Sequence, residues 1–283
     1  MKLVVFESAG ERRLGALTDG VTLGVVDLGL TDLRQYIAAS PSERARIAEV
    51  AAARAEVLHP TRLLAPVADH AQVILTGGNY GTHLAEVSHL ITPQEPVFFP
   101  GLWSAIIGPG DDIRIPEERT ETDYEVELAF VIGKTAHRVA AADAWDYVFG
   151  YTMVNDVSAR DVMAREALQI MLCKSPDTFC PIGPWLVTAD EVGDISGRRI
   201  YTTVNGVLKQ DASTDQMVVK IPQLIEFLTK FVTLQPGDLV TTGTPGGVGA
   251  FRTPPEFLHP GDEVTVGVEG IGELTNSLVA GWL

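Results

Sequence analysis

Three carboxylates in two short segments are the side chains of this sequence best suited to chemistry. Glu125 and Glu127 lie in DYEVELAFVIG, and Asp156 lies in GYTMVNDVSARD. Alternate side chains of a strand point to one face, so the pattern predicts Glu125 and Glu127 side by side. Asp123 falls on the same face, or lies behind the others and orients one of them. Buried carboxylates repel one another unless a cation compensates them, and oxygen ligands indicate a hard divalent ion, Mg²⁺ first, with Mn²⁺ or Ca²⁺ as alternatives.

A second pair with chemical potential is His83 and Glu86, in the segment HLAE. Residues three apart on a helix share a face, so the carboxylate can orient the imidazole and raise its basicity. The pair therefore suits a general base that takes a proton from water. The glycines just before it, Gly77, Gly78 and Gly81, could serve as hinges of a lid. Such a pair taken alone is more often a surface feature, so its role depends on the rest of the site.

Two regions that differ in their hydrophobic pattern must position these residues. Residues 1–66 are predicted to form a small α+β N-terminal domain, with Ser42 as the cap of its longer helix. Residues 67–283 are predicted to form a β-rich catalytic domain, because short apolar runs alternate there with glycine and proline. The predicted elements are strands at 3–6 and 24–28, and helices at 32–36, 41–56, 141–147 and 221–229.

Composition limits the classes of function that remain. The chain has 283 residues and a formal net charge of −16. That charge disfavours nucleic acid and anionic membrane as partners, because phosphates would be repelled. No apolar run reaches the roughly 18 to 20 residues that a membrane span needs. Cys173 and Cys180 are too few for a disulfide framework, so we expect a reduced, cytoplasmic protein.

Eight segments occur in order along the chain: GGNYGTHLAEV, SAIIGPGDDI, DYEVELAFVIGK, GYTMVNDVSARD, KSPDTFCPIGPW, TVNG, LQPGDLVTTGTPGGVG and GDEVTVGVEGIGELTN. Together they resemble the fumarylacetoacetate hydrolase superfamily, particularly its acylpyruvase-like and fumarylpyruvate hydrolase-like members. The resemblance begins at about Leu75 and continues to the C-terminus. It implies a mixed α/β, β-rich fold with a β-sandwich or roll core and a small α+β N-terminal domain. It also implies a homodimer.

The resemblance implies roles for individual residues as well. Glu125, Glu127 and Asp156 would be the metal ligands, in agreement with the argument from the carboxylates. His83 and Glu86 would be a catalytic dyad on a segment that orders over bound substrate. The other residues that it places at the pocket are Lys174 as a catalytic cation, and Arg160, Thr244, Tyr80 and Met163 as substrate-binding residues.

Some of these roles have alternatives. Lys174 and Arg160 would bind a substrate carboxylate or an oxyanion that forms on a carbonyl. Arg160 could instead pair with Asp161 or Asp156. Thr244, in the glycine-rich segment TTGTPGGVG, could help to cradle a carboxylate or could belong to a plain tight turn.

Two positions depart from the family pattern. Pro100 stands at about the place where many relatives have a lysine, and Met163 stands where relatives often have a glutamine. Both usual residues would supply polar contacts. Their loss, with Trp103 and Met163 gained, indicates a more apolar or differently shaped acyl end of the substrate.

The function that the resemblance implies is metal-dependent hydrolysis of a C–C bond in a small anionic 2-oxo acid. The substrate would be a β-dicarbonyl compound of the acylpyruvate or fumarylpyruvate type, cleaved by way of a metal-stabilised enolate. The same chemistry serves oxaloacetate decarboxylation and the hydration, dehydration or isomerisation, including tautomerisation, of 2-oxo acids. A catalytically silent metal-binding paralogue is the least favoured alternative.

Overall fold

The computed structural model describes residues 1–18, 24–53, 56–87, 95–116, 121–163 and 169–281. In these ranges the chain has a strand-rich, mixed α/β fold, which confirms the predicted fold class. Within them, too, no helix is both long enough and apolar enough to cross a membrane.

The strands are β1 (Lys2–Ser8), β2 (Glu11–Leu17), β3 (Val25–Leu30), β4 (Leu63–Leu64), β5 (Val73–Gly77), β6 (Val97–Gly101), β7 (Ile106–Ile107), β8 (Ile113–Ile115), β9 (Thr122–Asp123), β10 (Val126–Ile132), β11 (Val148–Asn155), β12 (Ser158–Ala159), β13 (Cys180–Thr188), β14 (Arg199–Val204), β15 (Val207–Ser213), β16 (Leu239–Thr241), β17 (Glu263–Val268) and β18 (Gly272–Ala280). The α-helices are α1 (Leu33–Ala38), α2 (Pro41–Ala53), α3 (Gly81–Val87), α4 (Arg160–Met163), α5 (Ile170–Lys174), α6 (Ala189–Val192) and α7 (Ile221–Thr229). Short 3₁₀ helices lie at Trp103–Ala105, Ala141–Tyr147, Thr214–Gln216 and Gly249–Phe251.

A large mixed sheet and a smaller sheet enclose the main hydrophobic core. The large sheet has the order β3-β2-β1-β13-β11-β10-β16-β5-β6, and the smaller one has the order β15-β14-β17-β18-β8. Leu128 and Phe130 of β10 belong to the same buried cluster as Ile200 of β14 and Val266 of β17. All seven residues of β10 are buried, because the strand lies in the middle of the large sheet. The arrangement is a sandwich of two sheets, with β10, which carries Glu127, in the middle of the large sheet.

The N-terminal segment shares the large sheet with the rest of the chain. Strand β1 pairs with β13, with Lys2 opposite Val187 and Leu3 opposite Leu186. The predicted strands and helices of this segment are present as β1, β3, α1 and α2, the last described as far as Ala53. The domain boundary after residue 66 stays a prediction, because the sheet continues across it.

The start of α2 differs from the prediction that Ser42 caps it. Ser40 and Glu43 form the reciprocal pair typical of a capping box. The Ser40 N–H donates to Glu43 Oε2 at 2.7 Å, and the Glu43 N–H donates to Ser40 Oγ at 3.3 Å. The prediction missed the Ser-x-x-Glu spacing that begins two residues earlier.

Candidate active site

One edge of the large sheet collects the ends of five strands. β5 and β16 run parallel to each other, β10 is antiparallel to β16 and to β11, and β13 is antiparallel to β11. The carboxyl ends of β5, β16 and β11 therefore lie beside the amino ends of β10 and β13. The residues next to these ends are His83 after β5, Thr244 after β16, Glu125 and Glu127 at the start of β10, Asp156 after β11 and Lys174 before β13. Topology thus brings together residues that are far apart in sequence.

Glu125, Glu127 and Asp156 form a buried carboxylate cluster. Each offers an oxygen, and these atoms all lie within 4.8 Å of one another. The pairing of β10 with β11 places Val126 opposite Asn155, so Glu125 and Asp156 adjoin, and the Asp156 N–H donates to the Glu125 carbonyl at 2.9 Å. At most 4% of any of these three residues is exposed. The structure therefore brings the three predicted ligands together.

The buried Lys174 and the half-buried Arg160 lie against this cluster. Lys174 Nζ is 2.6 Å from Glu125 Oε2 and 2.6 Å from Asp156 Oδ2. Arg160 donates to Glu125 Oε1 at 2.5 Å and to Asp123 Oδ2 at 2.9 Å. Asp123 thus lies behind the cluster and reaches it through Arg160.

Asp123 also holds the loop that carries one wall of the pocket. Its carboxylate accepts hydrogen bonds from the N–H groups of Gly249 at 2.7 Å and Ala250 at 3.0 Å. A Cβ atom on Gly249 would lie 1.9 Å from the Glu256 carbonyl, so only glycine fits there. The short helix that starts at Gly249 ends at Phe251, whose side chain lines the pocket. Asp123 therefore fixes both Arg160 and the position of this wall.

The three carboxylates of the cluster differ in the direction in which their pKa values are shifted. Burial would raise the pKa of Glu125, but Lys174 and Arg160 outweigh it and lower that pKa to about 2. Burial raises the pKa of Glu127 well above its ordinary value, and the negative charges of Asp156 and Glu125 raise it further. Burial likewise raises the pKa of Asp156 to about 6, although Lys174 opposes the shift. Two of the three carboxylates thus lack sufficient positive charge nearby.

A divalent cation would supply the missing charge. Four buried carboxylates, counting Asp123, face the two cations Lys174 and Arg160 in this part of the described chain. Asp156 Oδ1 is buried and accepts no hydrogen bond from the described residues. Three carboxylates that present oxygen atoms suit Mg²⁺, Mn²⁺ or Ca²⁺. The residues present therefore fit the predicted metal, and Glu125, Glu127 and Asp156 would hold it.

We expect the affinity for Mg²⁺ to increase as the pH rises through about 6, the pKa of Asp156. The raised pKa values of Asp156 and Glu127 mean that a cation must displace protons from these carboxylates at lower pH. Calorimetric titration in two buffers of different ionisation enthalpy would measure the protons released on binding. The exposed α2 residue Glu49 gives a control variant, Glu49→Gln, that should release the same number. An affinity independent of pH between about 5 and 8 would contradict this account.

His83 lines the same pocket from helix α3, and Glu86 lies beside it on that helix. His83 Nδ1 lies 3.0 Å from Glu86 Oε2, and only 7% of His83 is exposed. Glu86 Oε1 accepts the Gly247 N–H at 2.7 Å, and Thr82 Oγ accepts the Gly246 N–H at 3.0 Å. Gly247 has a φ of 99°, a conformation that favours glycine. The dyad is therefore formed, and it is fastened to the loop that follows β16.

The remaining wall of the pocket is apolar. Its side chains include Val97, Phe99, Met163, Ile170 and Phe251. Met163 thus lies where the family resemblance placed it. An apolar wall favours uncharged parts of a ligand and excludes water.

Pro100 and Trp103 do not lie on this wall. Alternate residues of β6 point to opposite faces, so Val97 and Phe99 face the pocket while Pro100 is exposed. Trp103 is 45% exposed, and its ring lies 6.4 Å from that of His70. The expectation that Trp103 contributes to an apolar end of the pocket is therefore wrong, whereas Met163 does line the pocket. Phe99, from the same strand as Pro100, lines the pocket together with the other apolar side chains named above.

Tyr80 and Thr244 differ in their distance from the pocket. Tyr80 is fully buried in the main core and is not among the residues that line the cavity, so its contact with a substrate stays a prediction. Thr244 lines the cavity, and its hydroxyl accepts a hydrogen bond from Gln210 Nε2 at 2.9 Å. Nearby, the Gly243 N–H donates to Glu127 Oε2 at 3.0 Å. Gln210 was not predicted, because nothing in the strand VLKQDAS marks it as a partner of this site.

Comparison with known proteins identifies the family. The sequence model of the protein family described as fumarylacetoacetate (FAA) hydrolase C-terminal matches residues 72–279. The chain belongs to the fumarylacetoacetate hydrolase family. The match includes every residue of the site, from His83 to Thr244. The predicted superfamily is therefore confirmed.

Several relatives carry names that describe an activity. A mitochondrial oxaloacetate tautomerase of Xenopus laevis is 42% identical over 291 residues, which cover 99% of this chain and 90% of that protein. The oxaloacetate tautomerase YisK of Bacillus subtilis (strain 168) is 42% identical over 224 residues, which cover 78% of this chain and 74% of that protein. The crystal structure of a maleylpyruvate hydrolase from Sphingobium sp. SYK-6, in complex with manganese(II) and pyruvate, has a TM-score of 0.80 and 30% identity over the whole of both chains. These relatives are enzymes of one superfamily, and they do not share one reaction.

Proposed function

We propose that this protein is a divalent-metal-dependent tautomerase that interconverts the keto and enol forms of a small 2-oxo dicarboxylic acid of the oxaloacetate type. The observation that carries the proposal is that His83, which contacts Glu86, and the carboxylate cluster line one pocket. Moving a proton beside a carbonyl requires a base and a centre of positive charge in the same pocket. The names of two relatives, one of them aligned over 99% of this chain, support the same choice.

Different residues of the chain have different roles in this reaction. A divalent ion held by Glu125, Glu127 and Asp156 would stabilise the negative charge that develops on the 2-oxo group. Because Glu86 engages His83 Nδ1, Nε2 is the ring nitrogen left to accept a proton. His83 takes a proton from C3 of the keto form and returns it to the oxygen on C2, so the substrate loses and gains no atoms.

Lys174 and the apolar wall assist this proton transfer. Lys174 lies against two of the three carboxylates, where its charge also stabilises an anionic substrate. The apolar side chains of the pocket, Phe99 and Phe251 among them, reduce the water near the reacting atoms. A drier pocket strengthens each electrostatic interaction inside it.

Hydrolysis of a C–C bond in an acylpyruvate is the second candidate. The same dyad can take a proton from water, and the maleylpyruvate hydrolase of Sphingobium shares the fold over its whole length. Hydrolysis consumes water and yields two products, whereas tautomerisation yields one isomer of the same mass. The two proposals are therefore separable by product analysis.

The deciding experiment is turnover in D₂O with Mg²⁺ or Mn²⁺. With oxaloacetate, a tautomerase should exchange the hydrogens at C3 for deuterium faster than buffer or metal-free protein does, while the carbon skeleton stays intact. Mass spectrometry measures the exchange and, in the same samples, CO₂ and pyruvate. With an acylpyruvate, a hydrolase would release pyruvate and a carboxylic acid.

The outcomes separate the candidates clearly. Rapid deuterium exchange without cleavage supports the tautomerase. Pyruvate and acid from the acylpyruvate, with no acceleration of exchange in oxaloacetate, would replace it by the hydrolase. Loss of CO₂ as the fastest reaction would replace it by a decarboxylase. A homodimer and a cytoplasmic location are further proposals for this chain, and the Xenopus relative is named as mitochondrial.

A further inference from the structure

Gln210 connects the smaller sheet to the pocket without reaching the pocket itself. It lies on β15, is fully buried and is not among the residues that line the cavity. Its side chain crosses to two segments of the site. One is Val126, the residue between Glu125 and Glu127, and the other is the loop that contains Thr244. A glutamine with this placement can act on the site only through the groups that it contacts.

The orientation of the Gln210 amide is fixed by two main-chain groups. The Val126 N–H can only donate, and it lies 3.1 Å from Gln210 Oε1. The Pro245 carbonyl can only accept, and it lies 2.8 Å from Gln210 Nε2. Rotating the amide by half a turn would place donor against donor and acceptor against acceptor. Gln210 Nε2 is therefore the atom that faces Thr244, and it must donate.

The N–H of Gln210 determines the role of the Thr244 hydroxyl in hydrogen bonding. Its oxygen accepts the N–H from Gln210 at 2.9 Å, and the described residues give this hydroxyl no other hydrogen bond. A hydroxyl that accepts in one direction still has its own hydrogen to donate. Thr244 is 2% exposed and lines the pocket beside the carboxylate cluster. Its hydrogen is thus available to an acceptor inside the cavity, where a substrate carboxylate is the group that needs a donor.

We propose that Gln210 is a positioning residue that makes the Thr244 hydroxyl a donor to the carboxylate of a 2-oxo acid. The proposal rests on the proposed function only in taking a 2-oxo acid as the ligand of this pocket. Without the Gln210 N–H, the Pro245 carbonyl loses its donor, and the Thr244 hydroxyl becomes free to turn its hydrogen toward that carbonyl. The hydrogen bond to the ligand would then be lost although Thr244 remains in place.

The test measures binding of oxalate to the Mn²⁺-loaded protein by calorimetry. Oxalate presents a carboxylate next to further oxygen atoms, as a 2-oxo acid does, and it needs no turnover. Each variant is first titrated with Mn²⁺ and then saturated with it, because Gln210 also contacts Val126 in the ligand-bearing strand. Thr244→Val should weaken oxalate binding by about 10- to 100-fold, as expected for one hydrogen bond to a charged group. Gln210→Met should weaken it by a similar factor.

The double variant decides whether the two residues act as one unit. If Gln210 acts through Thr244, then Gln210→Met combined with Thr244→Val should bind oxalate no more weakly than Thr244→Val alone. Thr202→Val is the matched control, because Thr202 donates to Gln210 Oε1 at 2.7 Å on the side away from Thr244. That variant should lower the melting temperature and leave the oxalate affinity unchanged.

Three results would overturn the proposal. One is full oxalate affinity in Gln210→Met with a lower melting temperature, which would make Gln210 purely structural. Another is an additive loss in the double variant. The third is a failure of the Mn²⁺-loaded wild type to bind oxalate. Deuterium exchange into oxaloacetate is measured separately, so a protein that binds oxalate through Thr244 but does not accelerate exchange would refute the proposed function alone.

Discussion

Glu127→Gln should abolish the response of the protein to divalent ions and, at neutral pH, raise the melting temperature of the metal-free protein. Both effects follow from the position of Glu127 among negative charges. Burial, together with Asp156 and Glu125, raises the pKa of Glu127 well above its ordinary value. A carboxyl with a higher pKa in the folded state than in the unfolded state costs stability as the pH rises above the unfolded value. Glutamine carries no charge, so this cost disappears.

The glutamine side chain also keeps the local hydrogen bonds. Its carbonyl oxygen can accept the Gly243 N–H as Glu127 does, and its amide N–H can donate to a neighbouring carboxylate. We expect the melting temperature of the metal-free variant to rise by about 2–4 °C for each kcal/mol of repulsion removed. The difference from wild type should vanish at about pH 4, below the ordinary pKa of a glutamate, where Glu127 is protonated in both states.

The same variant should lose the benefit of metal binding. A ligand that binds only the folded state raises the melting temperature, so Mg²⁺ should stabilise wild type and leave Glu127→Gln unchanged. Loss of several kcal/mol of charge stabilisation corresponds to a fall in turnover of about 10³-fold. Thermal melts with and without Mg²⁺, at about pH 4 and about pH 7.5, measure the two changes in melting temperature, and deuterium exchange into oxaloacetate measures the fall in turnover. The control is Glu49→Gln, on the exposed face of α2. It should change neither the melting temperature of the metal-free protein nor its rise with Mg²⁺.

Two other results for Glu127→Gln would contradict this account. If the metal-free variant melts at a lower temperature than wild type at neutral pH, Glu127 is held by positive charge that the described residues do not supply. If Mg²⁺ still stabilises the variant as much as wild type, the cation binds elsewhere. Either result contradicts the assignment of the divalent ion to the carboxylate cluster.

The parts of the site that could be predicted from the sequence are those that depend on local spacing. Glu125 and Glu127 share a face because they are two residues apart in an extended segment. His83 and Glu86 meet because they are three residues apart on α3. In both cases the geometry of one element is enough, and the family resemblance supplied the distant partner Asp156.

The parts that could not be predicted depend on contacts between distant elements. Gln210 meets Val126 across 84 positions of sequence, and Asp123 meets Gly249 across 126. Nothing within either segment marks these partners, because each lies in an ordinary strand or loop. Such contacts follow from the packing of distant elements against one another, which a single sequence does not reveal.

Pro100 shows that the face to which a strand residue points decides whether its side chain reaches the pocket. A shift of one residue moves a side chain to the opposite face of a strand. The sequence placed a family position at about Pro100, and the structure directs Val97 and Phe99 to the pocket. Apolar side chains do line the pocket, and Phe99 of the same strand is one of them.

His83→Gln should reduce deuterium exchange into oxaloacetate by about 10²- to 10⁴-fold, the usual contribution of a general base. Glutamine occupies similar space but cannot take up a proton near neutral pH. Glu86→Gln should cost about 10- to 100-fold, because it changes the group that orients the imidazole. Mg²⁺ should still raise the melting temperature of both variants, since neither residue belongs to the carboxylate cluster. His137→Gln, which alters an exposed histidine outside the pocket, should retain full exchange.

The ratio of two reactions in His83→Gln gives the strictest test of this role. Loss of CO₂ from oxaloacetate breaks a C–C bond and requires no removal of a proton from C3. The rate of CO₂ loss should therefore be unchanged in His83→Gln, because it depends on the divalent ion at the carboxylate cluster, whereas the rate of exchange at C3 should fall. Equal losses of both reactions would indicate a collapsed pocket, and unchanged exchange would place the base at another residue. Only a selective loss of exchange, with metal binding intact, assigns the proton transfer to His83.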